Sequence, residues 1–244
     1  MENNGTDSGL PPFRVLPDTC TELFINYLNN APTVISGKST ASYQRSFLVS
    51  RMNRFMDVQS PAITGLITVC FYPGATRHFF ALPMNEIAND VTGLLHLWKE
   101  MLSEIEDRIV SAKSNDDRVL ILQQFLINEL KRNYKADKTI EFCLWQMNGA
   151  KGQLSIGNLS DTTGISNRQL LRKFNDHIGL SPKEFARMTK FISSLNVLKK
   201  YPAMSLTEMA YECGYYDQAH FIHDYKEFSG YSPGQLLASG HCVY

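Results

Sequence analysis

Over the first ninety positions the apolar residues come in short runs, each cut by a breaker. From about Leu23 to Phe80 the cuts fall at Pro32, Gly37, Pro61, Gly65 and Pro73-Gly74. Short runs bounded by Pro and Gly read as strands, because a helix needs a longer uninterrupted period. Ile63 to Tyr72 is the clearest strand, closed by a turn at Pro73-Gly74. Residues 1–17 carry Gly5, Gly9, Pro11-Pro12 and Pro17 and read as a loose arm. Ala81 to Thr92 reads as irregular, with Pro83 barring a helix through its centre.

From Leu94 the period changes. Leu97, Met101, Ile105 and Ile109 recur every four residues, while Lys99, Glu100, Glu104, Asp107 and Arg108 occupy other faces, which predicts one amphipathic helix. Ser114-x-x-Asp117 is a helix-start signal, and Val119, Leu122, Leu126 and Leu130 then form a second stripe that ends near Lys131-Arg132. Thr139 to Met147 predicts a further short helix, and the domain boundary falls near Lys135-Ala136-Asp137. The expected fold class is α+β. It has a β-rich, sensor-like region with a C-terminal helix over 1–112, a linker or dimerisation helix over 113–137, and an all-α region over 138–244.

That last region contains a repeat. Ser155 to Gly164, the turn Ile165-Ser166 and Asn167 to Gly179 are matched by Ser205 to Gly214, the turn Tyr215-Tyr216 and Asp217 to Gly230. Gly164 and Gly214 are 50 apart, whereas Phe174/Tyr225, Gly179/Gly230 and Ser181-Pro182/Ser232-Pro233 are each 51 apart, so the second copy has one extra residue in its turn. A unit that keeps glycine at the turn and Gly-x-Ser-Pro after its second helix is a helix-turn-helix, whose second helix is shaped for the DNA major groove. Lys183 to Lys200 joins the copies as a long helix, N-capped by Ser181 with Pro182 at its first position and striped by Phe185, Met188, Ile192 and Leu195. At ~1.5 Å per residue it spans roughly 27 Å, which with the bodies of the repeats suits readers spaced about one DNA turn, ~34 Å.

A chain of 244 residues suits two domains, and 43% hydrophobic with 20% charged content excludes a disordered protein. Met1-Glu2-Asn3-Asn4-Gly5 lacks a basic n-region, and no apolar run nears ~18 residues, so neither a signal peptide nor a membrane span is expected and the location is cytoplasmic. Cys20, Cys70, Cys143, Cys213 and Cys242 show no C-x-x-C spacing, which argues against disulfides or a zinc site. There is no Gly-x-Ser-x-Gly elbow, P-loop, Gly-x-Gly-x-x-Gly or His-x-His. No catalytic residue, metal ligand or cofactor is therefore nominated.

Net charge is zero only in total. Residues 138–200 hold ten Lys/Arg against four acids, a net +6, while 201–244 hold Lys226 against five acids, a net −4. The cationic footprint of a nucleic-acid binder sits on the first copy and the segment after it. In the helix from Asn167, Leu170 and Phe174 face the core, so Arg168, Gln169, Arg172 and Lys173 share the wet face. Arg suits guanine O6/N7 and Gln suits adenine N6/N7, and both cations also take phosphates. A shift of 51 turns that face into Ala219, His220, His223 and Asp224, which is no longer cationic. His220 and His223 at i, i+3 could form a metal pair, but no cysteine or carboxylate partner is evident in sequence, and groove-facing histidines are the better reading.

Together these residues resemble the AraC/XylS family of bacterial transcriptional regulators over Thr139 to Ala238. They are Leu159…Gly164-Ile165-Ser166-x-Arg168-Gln169-Leu170-x-Arg172-x-Phe174, Gly179-x-Ser181-Pro182-x-x-Phe185, Ala210…Gly214-Tyr215 and Phe221…Phe228…Gly230-Tyr231-Ser232-Pro233. The resemblance implies a seven-helix DNA-binding domain with base-contact positions at Arg168, Leu171 and Arg172 in the first unit and at Gln218, Ala219, His220 and His223 in the second. With the helix start Ser166 and Asn167 and the wet-face residues Gln169 and Lys173 these make the expected DNA-contact set, and the charge distribution makes the first unit dominant. The sequence departs from the family where His223 replaces a frequent arginine and Leu171 a polar residue. Leu16-Pro17-Asp18…Glu22-Leu23 and Tyr72-Pro73-Gly74-Ala75 through Leu97-Trp98 resemble the sensor region of some members. The partners so implied are double-stranded promoter DNA, a small-molecule effector on the N-terminal region, RNA polymerase and a second copy of the chain. No enzyme is expected. The competing readings are a DNA-targeted repair-type enzyme using a reactive cysteine, and an interaction module with weakened DNA binding.

Overall fold

The computed structural model describes residues 12–28, 33–36, 39–42, 45–59, 65–80, 82–239 and 242–243. Most of the expected N-terminal arm, with Pro32, Gly37, Pro61 and the start of the Ile63 strand, lies outside them. The strands are β1 (Phe13–Val15), β2 (Thr21–Asn26), β3 (Thr33–Ser36), β4 (Ser39–Ser42), β5 (Ser46–Val49), β6 (Met56–Gln59), β7 (Leu66–Phe71), β8 (Val91–Gly93) and β9 (Cys242–Val243). They form two sheets, ordered β4-β3-β6-β1-β9 and β7-β2-β5-β8. Pairing is antiparallel except between β1 and β9, where Arg14 opposes Cys242 and Val15 opposes Val243. The end of the chain thus returns to the β-rich part.

Alternation along the second sheet sets two faces. Leu23, Ile25, Leu48 and Phe71 turn to one side and are buried under helices. Glu22 and Phe24 on β2, with Phe47 and Val49 on β5, turn to the other and line a cavity of about 310 Å³ between the sheets. Strand β7 is shorter than the sequence run implies. Tyr72 has left the ladder and is 80% exposed. Within the segment read as irregular, Pro83 starts a single 3-10 turn, Met84–Glu86, before β8 begins at Val91.

The helix expected from Leu94 is broken. A short α1 (Leu95–Trp98) stops at Lys99, whose φ of +47° is left-handed, and α2 (Glu100–Ser111) restarts beyond it. The break lets Trp98 stack on Phe80 at 4.9 Å and meet Phe125 edge-on at 4.8 Å, while Leu102, Ile105 and Ile109 still point inward. Helix α3 (Asn115–Asn133) begins as its capping signal requires, with Asp117 N donating to Ser114 Oγ at 3.1 Å. Arg118 then donates to the carbonyls of Ile109 and Ala112 at 3.2 and 2.8 Å and so closes the end of α2. The two stripes meet each other and the sheet, with Leu122 buried and Phe125 and Leu126 packed on the same core. Leu120 and Ile127 stay outside at 64% and 46% exposure.

Seven helices follow: α4 (Lys138–Gly149), α5 (Ile156–Thr163), α6 (Asn167–Ile178), α7 (Pro182–Lys200), α8 (Leu206–Glu212), α9 (Gln218–Ser229) and α10 (Pro233–Ala238). They build two cores, one around Cys143, Met147, Leu159, Leu170, Phe174 and Phe185, the other around Phe191, Leu195, Met209, Phe221, Tyr225 and Phe228. Leu16, from the loop after β1, completes the second.

Lys99 holds a conformation that side-chain-bearing residues adopt at a cost of roughly 1–3 kcal/mol. Lys99→Gly should therefore raise stability by about 1 kcal/mol in chemical denaturation. A loss of stability would show that the lysine side chain, not the backbone, matters at the break.

Candidate nucleic-acid interface

The helix-turn-helix units follow their sequence period closely. Gly164, Gly214, Gly179 and Gly230 all have φ between +68° and +79°, so each repeat-equivalent pair shares one left-handed geometry. The extra residue of the second copy is in the turn. Tyr215 fills the place of Ile165 and is buried, while Tyr216 stands 86% exposed.

On α6, Ser166 caps the helix and Gln169 answers it, with Gln169 N donating to Ser166 Oγ at 3.3 Å and Ser166 N to Gln169 Oε1 at 3.0 Å. Asn167 Oδ1 accepts from Ser160 Oγ at 2.5 Å and ties α6 to α5. Both are exposed, but their polar ends are already engaged in holding the helix start. Arg168 and Arg172, one turn apart, project into solvent on either side of Leu171, which is 42% exposed. Leu170 and Phe174 are fully buried beneath them.

Lys173 departs from the expected face. It is half-buried and ion-paired to Asp137, the residue that caps α4. Asp224, 51 positions on, is likewise not groove-facing. It is completely buried, and its Oδ1 accepts from Arg187 Nε at 2.8 Å and Nη2 at 2.5 Å, while Glu227 Oε2 accepts from the same Nη2 at 2.5 Å. The same repeat position thus anchors each recognition helix to the helix two before it, α4 for α6 and α7 for α9, with opposite charge in the two copies. The physical reason is angular: five residues beyond Arg168 or Ala219 the helix has turned back towards its core. Lys190 is also engaged, donating to the Gly214 carbonyl at 2.8 Å. Part of the +6 segment is therefore structural.

On α9 the cap is Asp217, which accepts from His220 N at 2.7 Å, and Gln218 Oε1 accepts from Thr207 Oγ1 at 2.8 Å. Ala219, His220 and His223 are exposed. The structure does supply carboxylates near His223, since a ring nitrogen of His223 and carboxylate oxygens of Asp224 and Glu227 lie within 4.8 Å of one another. Arg187 already neutralises both acids, so a cation would have to displace a guanidinium. Sequence reasoning missed Asp137 and Arg187 as anchors, because each acts on a residue 36 or 37 positions away. Burial raises the thiols of Cys143 and Cys213, the latter to about 11, which opposes a reactive thiolate.

Comparison with known proteins places this geometry. Residues 159–239 match the family described as "Helix-turn-helix domain", and residues 3–93 match "Domain of unknown function (DUF6597)". The HTH-type transcriptional activator RhaS of Enterobacter sp. (strain 638) is 25% identical over 118 residues, 48% of this chain and 41% of that protein. The HTH-type transcriptional regulator MtrA of Neisseria gonorrhoeae is 31% identical over 86 residues, 35% of this chain and 28% of that protein. Over residues 159–239 the chain is similar to the helix-turn-helix domain of these AraC/XylS-type regulators. The chain spans about two fifths of the length of RhaS. Both relatives are named regulators of transcription. ToxT from Vibrio cholerae is similar in fold over 93% of this chain and 92% of that one, at 12% identity and a TM-score of 0.50. No helix among the described residues is long and apolar enough to cross a membrane.

One group of this helix-turn-helix domain is placed to make stability depend on acid. His177, buried near the end of α6, has its pKa lowered to about 4 by desolvation and by Arg77, and its Nε2 lies 3.4 Å from Asp137. Because the folded value lies below the ordinary one of 6.5, the unfolded chain binds the extra proton between the two. Stability is full above about pH 6.5 and falls as pH drops towards 4, by roughly 2–3 kcal/mol. His177→Leu should flatten urea-denaturation stability across that window. An unchanged slope would place the acid sensitivity elsewhere.

Proposed function

We propose that this protein is a sequence-specific transcriptional regulator in which the first helix-turn-helix carries most base and phosphate contact. The observation behind this is the pair Arg168 and Arg172. They stand exposed on the start of α6, over a buried Leu170 and Phe174, where a groove-inserted helix presents its readers. Leu171 between them offers an apolar contact suited to a thymine methyl group. Ser166, Asn167 and Gln169 serve through backbone and cap geometry near phosphates, and Lys173 steers the helix. Ala219, His220, His223 and Gln218 make a weaker second contact, since Arg187 and Lys190 are engaged internally. The N-terminal part acts as sensor. RNA polymerase and a second copy of the chain are the macromolecular partners, with Leu120 and Ile127 the apolar residues available for pairing.

Arg172→Ala should cost about 1–3 kcal/mol and relax preference at one base pair, whereas Lys199→Ala weakens all sequences alike. Each phosphate contact adds roughly −0.9 to the log–log salt slope, so the full chain should lose affinity steeply with salt. Equal, sequence-independent losses from both changes would reduce Arg172 to a phosphate contact.

The inter-sheet cavity is the effector site of this reading. At about 310 Å³ it is walled by Phe13, Phe24, Phe47 and Val58, with Asp18 and Glu22 as its acids. Burial raises both carboxyls, Asp18 adds to the rise at Glu22, and Arg51 offsets part of the rise at Asp18, while Arg54 lines the same cavity. Such a site favours a compact aromatic ligand bearing an amine. Phenethylamine should raise the melting temperature of the full chain, and Glu22→Gln should abolish that rise. Stabilisation by the isosteric carboxylate instead would reverse the assignment.

A further inference from the structure

The cysteines show no short spacing in sequence, yet the fold brings two of them together from 50 positions apart. Cys20 immediately precedes β2, and Cys70 lies near the end of β7. In the ladder Thr21 opposes Phe71 and Glu22 opposes Cys70, so Cys20 is the diagonal neighbour of Cys70 on one face of the sheet. Cys20 N donates to Asp18 Oδ1 at 2.8 Å, which fixes the turn into β2. The two thiols meet, with Cys20 as the hydrogen-bond donor. Among the described cysteine side chains they are also the accessible ones. Cys70 is exposed and Cys20 half-buried, whereas Cys143 and Cys213 are buried.

Their surroundings combine acids with one poorly matched cation. Burial first, and then Asp18 and Glu22, push both thiols above their ordinary range. The pair is therefore protonated at neutral pH and slow towards peroxides, which react with thiolates. Arg51 is 1% exposed, and none of its three guanidinium nitrogens has a hydrogen-bond partner among the described residues. It lies within electrostatic reach of Cys20 and Asp18. A buried cation without acceptors is stabilised by any anion formed beside it. Met52 and Met56 also place thioether sulfur in the cavity that Cys20 lines.

We propose that Cys20 and Cys70 form a binding site for a soft monovalent metal ion, Cu(I), held digonally between two thiolates. Thiolate and thioether sulfur select such an ion over hard cations. On binding, two S–H bonds break, two Cu–S bonds form and two protons pass to solvent, while sulfur and copper keep their oxidation states. The complex carries one negative charge, which Arg51 neutralises. Zinc on the same two sulfurs would form a neutral complex and leave Arg51 unmatched, and it needs four donors in a tetrahedron. Among the described residues the one cluster of three His, Cys, Asp or Glu donors is His223, Asp224 and Glu227, so no such set surrounds the cysteines. A digonal ion needs only the pair.

The full chain, reduced and kept anaerobic, is titrated with Cu(I) against bicinchoninate as a competing chelator. One ion should bind per chain and should protect Cys20 and Cys70 from iodoacetamide, as read by peptide mass. Cys20→Ser and Cys70→Ser should each abolish uptake, and Arg51→Met should weaken it about tenfold. Cys70 is exposed, so its replacement should leave the melting temperature unchanged; where Cys20→Ser or Arg51→Met does not fold, alkylation of Cys70 in the native chain should abolish uptake instead. Uptake that survives both serine changes, or protection of other cysteines, overturns the site. Preference for Zn(II) at the same residues overturns the monovalent assignment. A Cys20–Cys70 disulfide formed with diamide, in a chain whose reduced form takes no Cu(I), also overturns it. No amine is present in these titrations, so their failure leaves the effector reading untouched, and failure of phenethylamine to bind leaves the metal site standing.

Discussion

Each recognition helix is held by its cap, its buried face and its C-terminal end while the outer side of its first turns stays exposed, and the rest of the molecule is arranged around that constraint. A groove-inserted helix must present its first turns to DNA, so its restraints have to come from behind. In α6 they are the cap of Ser166 with Gln169, the Lys173–Asp137 pair, and the packing of Leu170, Phe174 and Ile178. In α9 they are Asp217, the Asp224–Arg187 pair, and Phe221 with Tyr225. The buried Asp224 is tolerable only because Arg187 is there. Removing one partner would leave an uncompensated charge at a cost of about 3–5 kcal/mol.

This constraint redistributes the charge that first marked the chain as a nucleic-acid binder. A formal +6 over 138–200 counts Lys173, Arg187 and Lys190 equally with Arg168 and Arg172. The fold separates them. Three are bound to Asp137, to Asp224 with Glu227, and to the Gly214 carbonyl, and two remain exposed on the groove face. The exposed positive charge of the first unit is thus narrower than its composition implies, and on α6 it is concentrated at Arg168 and Arg172.

What could be read from sequence was whatever is local. Caps, the positions of Leu170 and Phe174, the turn insertion at Tyr216, and the Ser114 helix start depend on residues within a few positions of one another, and periodicity exposes them. Arg14 reaches Ser229 across 215 positions and Asp57 across 43, and no spacing rule encodes such a meeting. The β-rich part was legible as strands but not as two sheets, because pairing of β6 with β1 and β3 needs the fold itself. The break at Lys99 was hidden for another reason. Leu97, Ile105 and Ile109 keep a helical period across it, so the stripe reads as continuous although the backbone reverses hand.

The linker helix limits what any signal can do. Along α7, Phe185, Met188, Phe191, Leu195 and Leu198 are buried, and its first turns serve the first core while its later ones serve the second. Stretching or kinking it would open both cores, so the separation of the readers is fixed by packing. Movement of the β-rich part against the pair is the freedom that remains. The β-rich part meets the helices at the ends of α6 and α9, at Gly74 beside Leu144 and Ile140 of α4, and at Leu16 in the second core, so these contacts bear on the orientation of the readers and not on their spacing.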